Sequence, residues 1–219
     1  MLRSKAKRPA WTIRQRLKSR VVTDIDLVAG AGRGIGREIA LFLAASGRRV
    51  AVNDLNPDRA HQTVVEIRAQ EGQARAYPAD IAKKVAVQVI ANQLEDDGYR
   101  VAAVYNCARV TPANALLDMD EWEWRRTLDV NLTGAFVLTQ VFGRVMRASG
   151  QAGLICHILR ESEAAPAASA AYNAARAGLQ AMVASAAAEF AALPIRVSIR
   201  HAQANTPAKS VLADPQSGA

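Results

Sequence analysis

The sequence predicts an α/β protein built on a doubly wound parallel sheet in a single domain, and three observations predict it. Past residue 24, short apolar runs alternate with longer stretches of helical periodicity, the pattern of repeated strand–helix units. A glycine-rich turn, Gly30-Ala31-Gly32-Arg33-Gly34-Ile35-Gly36, joins the first apolar run to the first helical stretch. Asp54 then falls eighteen residues past Gly36, at the end of the second apolar run. Strand, glycine turn, helix, strand and acid in that order mark a Rossmann-type dinucleotide-binding sheet.

Taken in order, strands are expected near 25–29, 49–54, 73–78, 101–106, 153–158 and 195–200. Helices are expected near 35–46, 57–70, 82–96, 120–148 and 170–192. The last is rich in alanine, which suits a helix packed closely on a neighbour. With 219 residues, half of them apolar and 5% aromatic, the chain holds material for one sizeable core. No internal repeat or linker divides the body. The expected boundaries are a basic, disordered N-terminal arm over 1–23, a dinucleotide-binding domain over 24–207 and a short tail over 208–219.

The formal charge of +8 has a local origin. Residues 1–20 hold eight basic side chains and no acidic one, and the remaining 20 basic residues are matched by 20 acidic ones. The body is therefore formally neutral, which argues against nucleic-acid binding by the folded part. Ala10, Ile13, Leu17 and Val21 fall on one helical face of the arm, so contact with nucleic acid or a membrane surface would come only through residues 1–20. A solvated tail is the simpler reading, and an organelle transit peptide is a third. The arm has no apolar stretch for a secretory signal or a transmembrane segment. Cys107 and Cys156 are too few and too far apart for a disulfide framework or zinc site, and a reducing, cytoplasmic setting is expected. His61, His157 and His201 show no metal-ligand spacing and are read as surface or packing residues, so no metal is expected.

Glycines are needed in the turn because bare backbone must approach a pyrophosphate, whose charge then faces the N–H groups opening a helix. An acid at the Asp54 position accepts hydrogen bonds from ribose hydroxyls and repels a 2′-phosphate, which puts NAD ahead of NADP. Arg33 pulls the other way, because a basic side chain in the turn pairs with a 2′-phosphate, and NADP stays open. The plainer role for Asp54 is a capping or turn residue ahead of Asn56-Pro57.

From about residue 24 to 207 the chain resembles the short-chain dehydrogenase/reductase family. The pattern Gly30-x-x-x-Gly34-x-Gly36 is similar to that family's turn, with Ala29 where threonine is usual. Asp80-Ile81 stands where the family places an acidic–aliphatic pair beside the adenine. Asn106-Cys107-Ala108-Arg109 resembles a worn Asn-Asn-Ala-Gly segment. Glu121-Trp122 followed by Asp129-Val130-Asn131-Leu132-Thr133-Gly134-Ala135-Phe136 is the most specific likeness, and Tyr172 lies 41 positions after Asn131. The resemblance implies cofactor contacts from Gly30, Arg33, Gly34, Ile35, Gly36, Asp54, Asp80, Ile81, Asn106 and Thr206.

The resemblance also implies hydride transfer between a nicotinamide and a small alcohol or carbonyl compound. Tyr172 would act as general acid/base, and Asn131 would anchor a water in the proton path. Two positions depart from the family pattern. Arg176 stands where a lysine is usual, keeping a charge but not a proton relay, and Leu159 stands where a serine is usual. Ser162 and Ser169 are nearby hydroxyls whose plainer roles are loop and helix start. After the sixth strand Ala202-Gln203 replaces a Pro-Gly turn, and the sequence stops at Ala219, before the lid helices and seventh strand the resemblance implies. The expected function is an NAD(P)-dependent oxidoreductase of this kind with impaired activity. The alternative is a non-catalytic dinucleotide-binding or regulatory dimer partner. A homodimer, or a heterodimer with a related chain, is expected through the helices over 120–148 and 170–192.

Overall fold

Ile25, Leu27, Val28 and Ala29 are shielded from water because β1 (Thr23–Ala29) runs through the middle of a sheet covered by helices on both faces. The computed structural model describes residues 22–112, 114–160, 170–203 and 206–213. Residues 1–20 of the expected arm, Ser162, Ser169 and residues 214–219 lie outside them.

On one side β1 pairs in parallel with β2 (Arg49–Asn53), Leu27 opposite Ala51, and β2 carries β3 (Gln73–Ala76). On the other side β1 pairs with β4 (Tyr99–Asn106), followed by β5 (Gly153–Arg160) and β6 (Ile195–Ala202). The order is β3-β2-β1-β4-β5-β6, so the winding reverses between β1 and β4. A crevice opens there at the strands' C-terminal ends, where doubly wound sheets bind ligands. β3 ends before the expected residue 78 because Pro78 has no N–H to give to a ladder.

Successive residues of a strand point to opposite faces, and β1 builds two cores this way. Val28 joins Ile39, Leu43, Val64, Ile67 and Val211 under α1 (Gly34–Ala45), α2 (Pro57–Ala69) and α7 (Ala208–Leu212). Leu27 joins Val87, Ile90, Leu138, Phe142 and Val183 under α3 (Lys84–Asp96), α5 (Gly134–Ser149) and α6 (Ala170–Phe190). Residues 208–212, read from the sequence as tail, are thus a helix with Val211 buried.

The long helix expected over 120–148 is α4 (Glu121–Leu128) running into α5 through one widened π turn, Asp129–Thr133. Such turns are rare and cluster at functional positions, and this one holds Asn131. An ion pair between buried Asp26 and exposed Arg48 supports the other side of the sheet. Asp26 in β1 is 1% exposed and accepts hydrogen bonds from Arg48 Nε and Nη2 at 2.7 and 2.6 Å.

Candidate functional site

The glycine turn needs its glycines for two different reasons. Gly30 and Gly34 have φ of +73° and +55°, a left-handed backbone that side chains disfavour. A β-carbon on Gly30 would stand 2.6 Å from the Ala108 backbone, and one on Gly36 would stand 2.2 Å from the Gly30 carbonyl oxygen. Helix α1 therefore starts in direct contact with the turn. At Gly34 nothing lies within 4 Å of that direction, so the turn is open there. Asn56 caps α2 by accepting the Arg59 N–H at 3.0 Å, and Asp120 caps α4 by accepting the Glu123 N–H at 2.7 Å. Helix α1 has no side-chain cap and no acid in its first turn, so its leading N–H groups are left for an anion.

Those groups face a cleft of about 790 Å³. Of the residues expected from the sequence, the structure brings Gly30, Arg33, Gly34, Ile35, Gly36, Asp54, Asp80 and Ile81 together on its wall. Asp54 Oδ2 accepts the Gly32 N–H at 2.9 Å, and Oδ1 accepts the Asn56 N–H at 3.0 Å. The carboxylate thus clamps the glycine turn and shapes the chain before α2 while lining the cleft. Asn53 ties β2 to the exit of β3, its Nδ2 donating to the Tyr77 and Ala79 carbonyls at 2.8 and 3.2 Å. Asp80 Oδ1 accepts the Ala82 N–H at 3.0 Å, and its Oδ2 faces Arg126 Nη1 at 3.1 Å.

The other expected residues do not line the cleft. Asn106 lies beneath it, in a closed chain of hydrogen bonds. Its Oδ1 accepts the Ala108 N–H at 3.2 Å and its Nδ2 donates to His157 Nδ1 at 3.1 Å. His157 Nε2 lies 3.0 Å from Thr139 Oγ1, which donates its own hydrogen to the Ala135 carbonyl at 2.8 Å. That order requires the proton on Nε2. Burial pushes the His157 pKa down to about 4, so the ring stays neutral. The sequence reading of His157 as a packing or surface residue becomes a fully buried polar link.

Asn131 spends its amide on the fold. Its Oδ1 accepts the Val110 N–H at 3.2 Å, and its Nδ2 donates to the Val110 and Thr127 carbonyls at 2.8 and 2.9 Å. The π turn is thereby stitched to the loop after β4. Tyr172 is 6% exposed and its hydroxyl donates to the Arg160 carbonyl at 3.4 Å. Arg176 follows one turn later on α6 and is half-buried. Leu159 is buried in the core. Thr206 closes a turn, its Oγ1 accepting the Gln203 N–H at 3.0 Å.

Sequence reasoning did not assign site roles to Arg59, Arg109, Arg126 and Arg160, which also line the cleft. Arg109 and Arg160 carried a usable signal, since both follow the C-terminal end of an expected strand. Arg59 and Arg126 lie on helices, and nothing local marks them. Cys107 also lines the cleft, where burial holds its thiol well above the ordinary range and so protonated.

A winding reversal with an uncapped glycine turn at its crevice defines a Rossmann-type α/β protein. Residues 24–209 match the short chain dehydrogenase family, and the chain belongs to it. It is 36% identical over 147 residues to the (3R)-3-hydroxyacyl-CoA dehydrogenase of Rattus norvegicus, covering 64% of this chain and 57% of that protein. It is 31% identical over 175 residues to the (2S)-[(R)-hydroxy(phenyl)methyl]succinyl-CoA dehydrogenase subunit BbsD of Thauera aromatica, covering 80% and 70%. Among solved structures, a metagenomic short-chain oxidoreductase in complex with NADP superposes with a TM-score of 0.79 at 28% identity, covering 87% and 89%. Among the described residues no helix is long and apolar enough to cross a membrane.

Proposed function

We propose that the cleft binds a nicotinamide dinucleotide, NAD or NADP, and that the chain is an oxidoreductase of low turnover acting on a small alcohol or carbonyl compound. The uncapped first turn of α1 behind Gly34 carries this reading, because its N–H groups suit a pyrophosphate and no side chain takes them. Gly34, Ile35 and Gly36 would hold the pyrophosphate, Asp54 the adenosine ribose, and Asp80 with Ile81 the adenine. Arg33 and Arg59 stand on the same wall as Asp54 and set a positive charge against its preference for an unphosphorylated ribose. When bound, the nicotinamide would supply or accept a hydride.

Tyr172 is the proposed acid/base for the reacting oxygen, with Asn131 and Arg176 as its supporting residues. To serve, the Tyr172 hydroxyl must turn from the Arg160 carbonyl toward the cleft. Arg176 would favour the phenolate by charge without relaying a proton, and Leu159 has no hydrogen bond to offer. General acid/base assistance contributes about 10²–10⁴-fold and one preorganised donor about 10²–10³-fold, so turnover several orders below an ordinary enzyme is expected. Thr206 would reach a carboxamide only after leaving its turn with Gln203.

A second reading, a non-catalytic binding or regulatory partner, is favoured by buried Leu159 together with the inward bond of Tyr172. Both readings include a dimer through α5 and α6, supported by exposed Phe136 on α5 and by the outward alanines 174, 177, 181, 184 and 188 on α6. Both also include a cytoplasmic setting, supported by the two free cysteines. Sedimentation at micromolar concentration should give a dimer, and a strict monomer would remove that part.

Titration with NADH and NADPH, followed by nicotinamide fluorescence, tests the function. Saturable enhancement with either is expected. Enhancement with neither would overturn the proposal.

A further inference from the structure

We propose that the reacting end of the cleft holds a substrate bearing an anionic group, a carboxylate or a phosphate, between Arg109 and Arg160. The inference rests on the dinucleotide reading above. Among the described residues five arginines and two aspartates line the cleft, an excess of positive charge on that part of its wall. Arg126 is paired with Asp80. Arg59 stands beside Asp54, since a β-carbon on Gly32 would touch both Asp54 Oδ2 and Arg59 Cβ at 2.6 Å, and Arg33 lies in the glycine turn on the same wall. These groups belong to the half of the crevice formed past β2 and β3.

Arg109 and Arg160 belong to the other half. Asn106 and His157 pair across β4 and β5, and each arginine lies three residues beyond that rung. Arg160 is the last residue of β5 and Arg109 follows the end of β4, on the same side of the winding reversal. Among the described residues no acid lines that half of the cleft, and neither guanidinium has a hydrogen bond or ion pair. Arg109 is exposed and Arg160 half-buried on the cleft wall, so an anion entering that half can meet both guanidiniums. A dinucleotide's pyrophosphate is not that anion, since it would face the N–H groups of α1 at β1.

Arginine also suits the task by shape, because its planar fork grips carboxylate or phosphate oxygens in pairs. The hydroxyl of Tyr172 on the Arg160 carbonyl fixes the strand end from which that guanidinium extends. The anion would therefore sit beside the proposed acid/base, within a few bonds of the reacting carbon.

The test is calorimetric titration of the full chain saturated with NADPH, using acetoacetate against methyl acetoacetate and dihydroxyacetone phosphate against dihydroxyacetone. At least one anion should bind about ten- to a hundredfold tighter than its neutral twin, the range of a charge-assisted contact. The better anion tells carboxylate from phosphate. Arg109→Gln and Arg160→Gln should each reduce that preference, and Arg160→Lys should retain part of it. Equal affinity for anion and neutral twin overturns the inference alone, as does a preference unchanged in both glutamine variants. A tenfold loss of NADPH affinity in those variants with the preference intact assigns the arginines to the cofactor and likewise overturns it. Absence of NADPH binding overturns the proposed function and this inference with it.

Discussion

On the β2 side of the crevice Asp54 and the first turn of α1 present polar groups to the cleft, whereas on the β5 side, Arg109 and Arg160 apart, Asn106, Asn131 and Tyr172 bond into the fold. Asp54 clamps the glycine turn from the cleft wall, and α1 presents unfilled N–H groups. Across the crevice, Asn106 bonds to His157, Asn131 bonds to Val110 and Thr127, Tyr172 bonds to a carbonyl, and Leu159 fills the core. The contrast teaches that dinucleotide recognition rests on backbone and glycine geometry, while proton transfer needs particular side chains free to reach the cleft.

The largest effect should come from breaking the better-formed side. Gly36→Val should lower dinucleotide affinity by more than about a hundredfold, because a side chain there collides with the Gly30 carbonyl and displaces α1. Fluorescence titration reads the affinity, and circular dichroism checks that the sheet survives. Retained affinity in a folded variant would mean that the pyrophosphate does not lie on this turn.

The next effect belongs to the β5 side and concerns stability. His157 is held neutral with its pKa lowered from 6.5 to about 4, so the unfolded chain binds a proton that the folded chain refuses. The contribution is complete above the unfolded value of 6.5, fades as pH falls toward about 4 and is lost below it. Between about pH 7 and about pH 4.5 the loss should be about 2 kcal/mol, read by urea unfolding. His157→Gln should be less stable at neutral pH yet flatter with pH. An equal slope in the variant would place the acid sensitivity elsewhere.

Smaller again is the gain from restoring reactive groups. Leu159→Ser with Arg176→Lys should raise hydride transfer about ten- to a hundredfold without changing dinucleotide affinity, part of what one donor supplies. No gain with binding intact would favour the non-catalytic reading. The smallest effect on stability is that of Tyr172→Phe, which removes one long hydrogen bond and should cost at most about 1 kcal/mol. The same variant should abolish whatever hydride transfer the proposed acid/base supports. Its dinucleotide affinity should equal that of the unaltered chain, and a marked loss would show that the two sides are not separable.

Much of the fold was legible because it is written in local pattern. The apolar runs and helical stretches lie where the strands and helices form, and the turn from Gly30 to Gly36 announces its own geometry. The π turn was not legible, since it differs from an α-helix by one residue and is tied by Asn131 to Val110, twenty-one positions away. The Asn106–His157–Thr139 chain joins three elements across 51 and 18 positions, and no spacing rule connects them. Asp54 shows a different limit. Its residue type suggested both a ribose contact and a turn residue, and the structure places it on the cleft wall while committing its oxygens to Gly32 and Asn56.

One trace tests the separation of the two sides most directly. Protein in excess is mixed with NADPH and acetoacetate, and nicotinamide fluorescence is followed from the moment of mixing. A rise reports binding at the α1 turn, and a later decay reports oxidation beside Tyr172. The rise should be prompt and should persist, with decay far slower than the roughly 1–10³ per second of ordinary enzymes. No rise, or a rise followed by decay within that ordinary range, would contradict the account.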